Sequence, residues 1–233
     1  MDTGKNILGV LAAAAVLTVA GASQAAVTVY SGYDPGSNGV GANSAAAAAA
    51  FDAAAAGATI IDWEAAIAGS DTNGQVISPG VTLSSVGFNV QGVTTCGGML
   101  CGDNTTLGGK NFAYSNAANA LLTFTFATPI SAFGAYFGGL QTSSSVLTFN
   151  DGAAQSIAIP ASSAGGFAFV GFTDPGASIT SLTISVPFDL ISVDDVRLGA
   201  AGVPEPATWA MMILGFAAMG SVLRRRHGAV TAA

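Results

Sequence analysis

The 233-residue chain has one histidine, His227, two cysteines, Cys96 and Cys101, and six basic residues, Lys5, Lys110, Arg197, Arg224, Arg225 and Arg226. Each shortage excludes a class of chemistry. With its histidine in the C-terminal tail, the body cannot assemble a Ser-His-Asp or Cys-His arrangement. A zinc site would lack both imidazoles and four thiolates. Gly97-Gly98 and Gly108-Gly109 have none of the strand, lysine and helix context of a phosphate loop. Between Ala26 and Gly202 eleven acids face only Lys110 and Arg197, so this region carries a net charge of −9. Nucleic-acid binding needs cations that neutralise phosphates, so nucleic acid is excluded, as is docking on anionic lipid.

What the chain does have is concentrated first at its two ends. Lys5 precedes an apolar run from Ile7 to Ala20, and Gly21-Ala22-Ser23-Gln24-Ala25-Ala26 supplies small residues. That order describes a secretory signal peptide, a signal helix over residues 1–25 cut after Ala25. At the other end, Pro204-Glu205-Pro206 leads into an apolar run from Ala207 to Leu223 and then Arg224, Arg225 and Arg226. As a helix the run spans about 25 Å, just enough for a transmembrane helix in a hydrocarbon core of about 30 Å. The arginines after it place the C-terminus in the cytoplasm and the body outside.

The residues Pro204, Glu205, Pro206, Trp209, Ala210, Met211-Met212, Leu214-Gly215-Phe216 and the three arginines resemble the PEP-CTERM sorting signal of Gram-negative bacteria, in the form with Trp-Ala after the motif. The resemblance spans residues 203–227, with 228–233 as a tail. It implies that exosortase, a membrane protease, recognises the chain at the inner membrane. Cleavage near Pro-Glu-Pro would then release it to the cell surface or the extracellular matrix.

The body, residues 26–202, is expected to be one mainly β domain. Asn43 or Ser44 can cap a short Ala-rich helix over about 44–56, anchored by Phe51 and stopped by Gly57. Short β-type segments then recur between Gly and Pro turns: 59–64, 81–90, 121–127, 130–137, 146–149, 156–159, 167–172, 179–186 and 191–198. Residues 26–33 suit an edge strand. Such spacing predicts an antiparallel β-sandwich, jelly-roll or lectin-like in arrangement. Asp151-Gly152 marks a hairpin. Phe167, Phe169 and, after a bulge at Gly171, Phe172 are expected to share an inner face.

Cys96 and Cys101 are expected to form a disulfide in an oxidising, exported compartment. Asp62, Glu64, Asp194 and Asp195 are the candidate metal ligands. Calcium takes oxygen donors alone, and if the first and last strands are neighbours, Glu64 and Asp195 can share one ion. The segment around Asp194-Asp195-Val196 resembles the closing strand of carbohydrate-binding-module and lectin-like sandwiches, where such an Asp holds a structural calcium. PEP-CTERM proteins share this pairing of an early Asp-x-Glu strand with a late Asp-Asp-Val-Arg strand. The competing use of Asp194 or Asp195 is a pair with Arg197. Asn104-Thr105-Thr106 formally matches a glycosylation acceptor, and its plain reading is a polar loop.

No catalytic residue is expected. The anticipated function is a non-enzymatic surface or matrix protein associated with exopolysaccharide or biofilm. The alternative is a carbohydrate-binding module using Tyr30, Tyr33, Tyr114, Tyr136 or Trp63 as stacking surfaces. A glycoside hydrolase, with paired acids, comes third.

Overall fold

The computed structural model describes residues 26–92, 100–199, 212–217 and 219. The expected signal peptide and its cleavage position, Cys96, and most of the sorting segment lie outside the described residues. Residues 212–217 and 219 are helical and exposed. No helix among the described residues is long and apolar enough to cross a membrane.

The body is an open antiparallel sandwich of two sheets. One sheet runs β1 (Thr28–Pro35), β11 (Gly166–Thr173), β8 (Ala132–Gly138), β13 (Ser192–Gly199), β6 (Phe112–Ser115) and β5 (Phe88–Gln91), with β2 (Thr59–Ile61) also paired to β13. The other runs β10 (Ala154–Ala158), β9 (Val146–Asn150), β12 (Ile179–Val186), β7 (Ala120–Ile130), β4 (Val81–Val86) and β3 (Val76–Ser78). Alternating residues such as Leu122, Phe124 and Phe126 from β7 and Ala168, Val170 and Phe172 from β11 fill the space between the sheets. Phe149 and Phe172 stack across it at 3.9 Å.

The expected strand 81–90 is two strands in different sheets. Gly87, at φ +67°, turns the chain from β4 in one sheet to β5 in the other, a conformation that a side chain would strain. The first strand of the body, β1, is an edge strand as expected, but its neighbour is β11; the early strand beside β13 is β2. The expected strand 59–64 ends at Ile61 because Trp63 adopts φ +61°. The Asp151-Gly152 hairpin forms, with Ala154 opposite Asn150.

Among the described residues of the body one helix forms, α1 (Ala42–Ala54), and it lies on the outer face of the first sheet. Its cap is Gly41, not Asn43 or Ser44. Asp34, at the end of β1, accepts the Asn43 and Ser44 amides at 3.0 and 2.8 Å. Burial alone would raise the pKa of Asp34, but the hydrogen bonds from Ser44 and Asn43 win and lower it, as expected for a carboxylate at a helix start. Phe51, fully buried, anchors the helix between Tyr30 and Phe169.

That helix also corrects the expected aromatic face. Register along β11 is continuous against both β1 and β8, so no bulge occurs at Gly171. Phe167 and Phe169 therefore point to the helix side and Phe172 to the inter-sheet core. Both faces are buried because α1 covers the outer one.

Candidate functional site

Three of the four acids singled out in the sequence, Glu64, Asp194 and Asp195, gather around one loop, residues 103–111, between the chain near Cys101 and β6. Glu64 reaches it from beyond β2. Its Oε1 accepts hydrogen bonds from Asn104 Nδ2 at 2.7 Å, the Lys110 amide at 2.7 Å and the Asn111 amide at 2.9 Å. Gly109 makes this approach possible, since a Cβ there would sit 2.3 Å from Glu64 Oε1.

From the opposite side β13 contributes two acids. Asp194 Oδ2 accepts the Thr105 amide at 2.6 Å, the Thr105 hydroxyl at 3.1 Å and the Thr106 amide at 3.3 Å. Its Oδ1 accepts the Asp195 amide at 2.8 Å. Asp195 takes the Thr106 hydroxyl at 2.7 Å and the Thr105 hydroxyl at 3.2 Å. Asp195 sits at φ +45°, where the register of β13 against β8 shifts between Asp194 and Arg197. This bulge puts two consecutive acids on the same loop, where regular alternation would send them to opposite faces. Burial pushes Asp194 up to about 7 against the Thr105 amide, which lowers it, and the charge of Asp195 adds to the rise.

Asp62 stays outside this arrangement, accepting the Glu64 amide at 3.2 Å. Among the described residues no three His, Cys, Asp or Glu side chains are grouped to hold a metal ion. The donor set fits a different task. Glu64, Asp194 and Asp195 act as acceptors that pin a polar loop, each already facing amides or hydroxyls. Asn104, Thr105, Thr106 and Asn111 are the partners that sequence reasoning missed. Their signal was a run of Asn and Thr between the two acid segments, read only as a polar loop.

Arg197 pairs with neither neighbour's carboxylate. Its Nε donates to Asp52 of α1 at 2.9 Å and its Nη1 to the Asp195 carbonyl at 2.7 Å, and the guanidinium lies over the Tyr136 and Phe169 rings. Cys101 is buried and is not a free thiol. Its expected partner Cys96 lies outside the described residues.

The candidate sugar-stacking rings are not presented as a platform. Trp63 and Tyr136 are buried, and Tyr30, Tyr33 and Tyr114 are half-buried. Tyr33 donates its hydroxyl inward to the Gly165 carbonyl at 2.6 Å. Phe188, 73 % exposed, is the ring that the sandwich does show to solvent. A groove beside β2 and β3, lined by Ile60, Asp62, Trp63, Gln75 and Val76, offers one carboxylate and no open ring face.

Residues 202–226 match the PEP-CTERM protein-sorting motif. The motif marks an exported protein that exosortase processes at the membrane after transient anchoring by its C-terminal region. No curated protein matches the chain. Among solved structures the chain is similar to the K2 cleaved adhesin domain of Lys-gingipain (Kgp), at 11% identity over 62% of this chain and 99% of that one, with a TM-score of 0.41. It is also similar to the enzymatically active domain of bacteriophage CBA120 tailspike protein 4, at 19% identity over 60% of this chain and 21% of that one, with a TM-score of 0.33. Neither likeness bears on function.

Proposed function

We propose that this chain is a non-enzymatic surface or matrix protein whose β-sandwich works alongside extracellular polysaccharide. A leader ending at Ala25 takes it through the inner membrane, the segment after Pro206 holds it there, and exosortase releases it near Pro204. The observation that carries the proposal is the sorting motif at residues 202–226. The body is consistent with it in chemistry: it is acidic, it has no histidine before His227, and its three clustered acids are engaged in fixing a loop.

The test is the intact mass of the protein recovered from an exosortase-bearing host. Ends near Ala26 and Pro204 are expected. A surface-located product whose mass still includes Arg224, Arg225 and Arg226 would remove the release step. Retention of purified body on exopolysaccharide of the same host, set against an unrelated acidic protein, tests the partner.

A further inference from the structure

The start of β1 enters a second acidic neighbourhood. Thr28 lies opposite Thr173 in the register between β1 and β11. Just before Thr28 come Ala26 and Val27, and just after Thr173 comes Asp174. Val27 packs on the inter-sheet core, and Ala26, Val27, Asp151, Gly152, Gln155 and Asp174 line one surface pocket.

Asp174 is 1 % exposed, yet its Oδ2 has no hydrogen-bond partner. A buried carboxylate oxygen left so is costly, and proteins pair such groups or supply a cation. Burial, a hydrogen bond with Asp151 and the Asp151 charge push Asp174 up to about 6. Asp151, whose carboxylate already accepts the Ala153 amide at 3.0 Å and Gln155 Nε2 at 3.1 Å, is the charged side chain acting on Asp174, and it carries the same sign. The two basic side chains of the body do not supply the cation: Arg197 is paired with Asp52 and Lys110 is exposed beside the Glu64 loop.

Removal of the leader creates a cation at this place. Hydrolysis of the Ala25–Ala26 peptide bond uses one water, whose hydroxyl completes the Ala25 carboxyl and whose proton goes to the nitrogen of Ala26, which becomes an ammonium at neutral pH. We infer that the α-ammonium of mature Ala26 docks on Asp174 and Asp151, latching the first strand to the sheet only after the leader has been cut away. The inference rests on the reading that export removes residues 1–25. N-terminal sequencing of the exported protein tests that reading by itself.

The latch is tested on a chain released from a fusion so that it begins at Ala26 and runs to Ala233, carrying Lys110→Arg so that the α-amine is its one primary amine. Its thermal midpoint at pH 7 is compared before and after blocking that amine with cyanate, with and without Asp174→Asn. Blocking is expected to lower the midpoint by about 5 °C with Asp174 present and by about 1 °C or less in Asp174→Asn. Asp174→Asn itself is expected to lower the midpoint of the free-amine chain and to raise that of the blocked chain. Equal effects of blocking in both backgrounds, or none, would overturn the latch. If Asp174→Asn does not fold, titration of the amine decides the matter: a pKa well above the ordinary α-amino range supports the latch, and an ordinary one ends it.

Discussion

Two acidic regions of this sandwich treat their carboxylates in opposite ways. Around residues 103–111, Glu64, Asp194 and Asp195 share eight hydrogen-bond donors supplied by loop amides, hydroxyls, the Asn104 amide group and the Asp195 amide. Around the β9–β10 turn, Asp174 is as deep as Asp194 but keeps one oxygen without a partner and faces a like charge. The number of acids is similar in both places. What differs is that loop donors reach every acid of the first group, whereas in the second they reach Asp151, from the Ala153 amide and Gln155 Nε2, but not Asp174 Oδ2.

The largest expected effect breaks the satisfied region. Glu64→Ala leaves Asn104 Nδ2 and the amides of Lys110 and Asn111 without their acceptor. The loss should be about 3 kcal/mol in urea unfolding. Glu64→Gln, which keeps an oxygen in place, should lose less than half of that. A loss below about 0.5 kcal/mol for Glu64→Ala would mean that the loop is held without it.

The next prediction uses the unsatisfied region and a chain whose N-terminus is extended or blocked. Burial pushes the folded Asp174 pKa up to about 6, whereas in the unfolded chain it returns to the ordinary carboxylate value of 3.8. Between these values the folded state binds the extra proton, so stability falls as pH rises. The fall should amount to about 2 kcal/mol across that interval, and Asp174→Asn should flatten it. A slope unchanged by Asp174→Asn would assign it to another group.

Asp52 offers a third case, an acid at the surface paired with a buried base. The Arg197 side chain is 9% exposed and the Asp52 side chain 48%, so Asp52→Ala should cost about 1 kcal/mol or less, with Arg197 still lying over Tyr136 and Phe169. A cost near that of Glu64→Ala would make this pair a principal clamp between α1 and β13.

The smallest effect is expected from chelation. Since the acids of the 103–111 loop face protein donors, EDTA followed by excess Ca²⁺ should leave the thermal midpoint unchanged. A reversible shift would restore calcium at Glu64, Asp194 and Asp195 and would erase the contrast between the two regions.

Much of the architecture was legible because it is local. Period-two alternation gave the strands, Asp151-Gly152 gave the hairpin, and Phe51 in a run of alanines stood out as the helix anchor. The failures share a cause. Asp34 caps α1 from about ten residues away, Gly87 switches sheets inside what looks like one strand, and Phe172 faces away from Phe169 because β11 alternates without a bulge while a helix covers its far side. Of the candidate site, the acids were legible as a group but their partners were not. Thr105 and Thr106 meet Asp194 and Asp195 across about ninety residues of chain.

The sequence by itself determined the delivery signal, the acidic and histidine-poor chemistry of the body, and its β character, because each is written in residue type and short spacing. Only the tertiary structure decided which acids are satisfied and which is not. That outcome depends on sheet order, the β13 bulge at Asp195 and the burial of Asp174 beside Asp151 of the β9–β10 turn, all set by residues far apart in the chain and brought together by burial of the shared core.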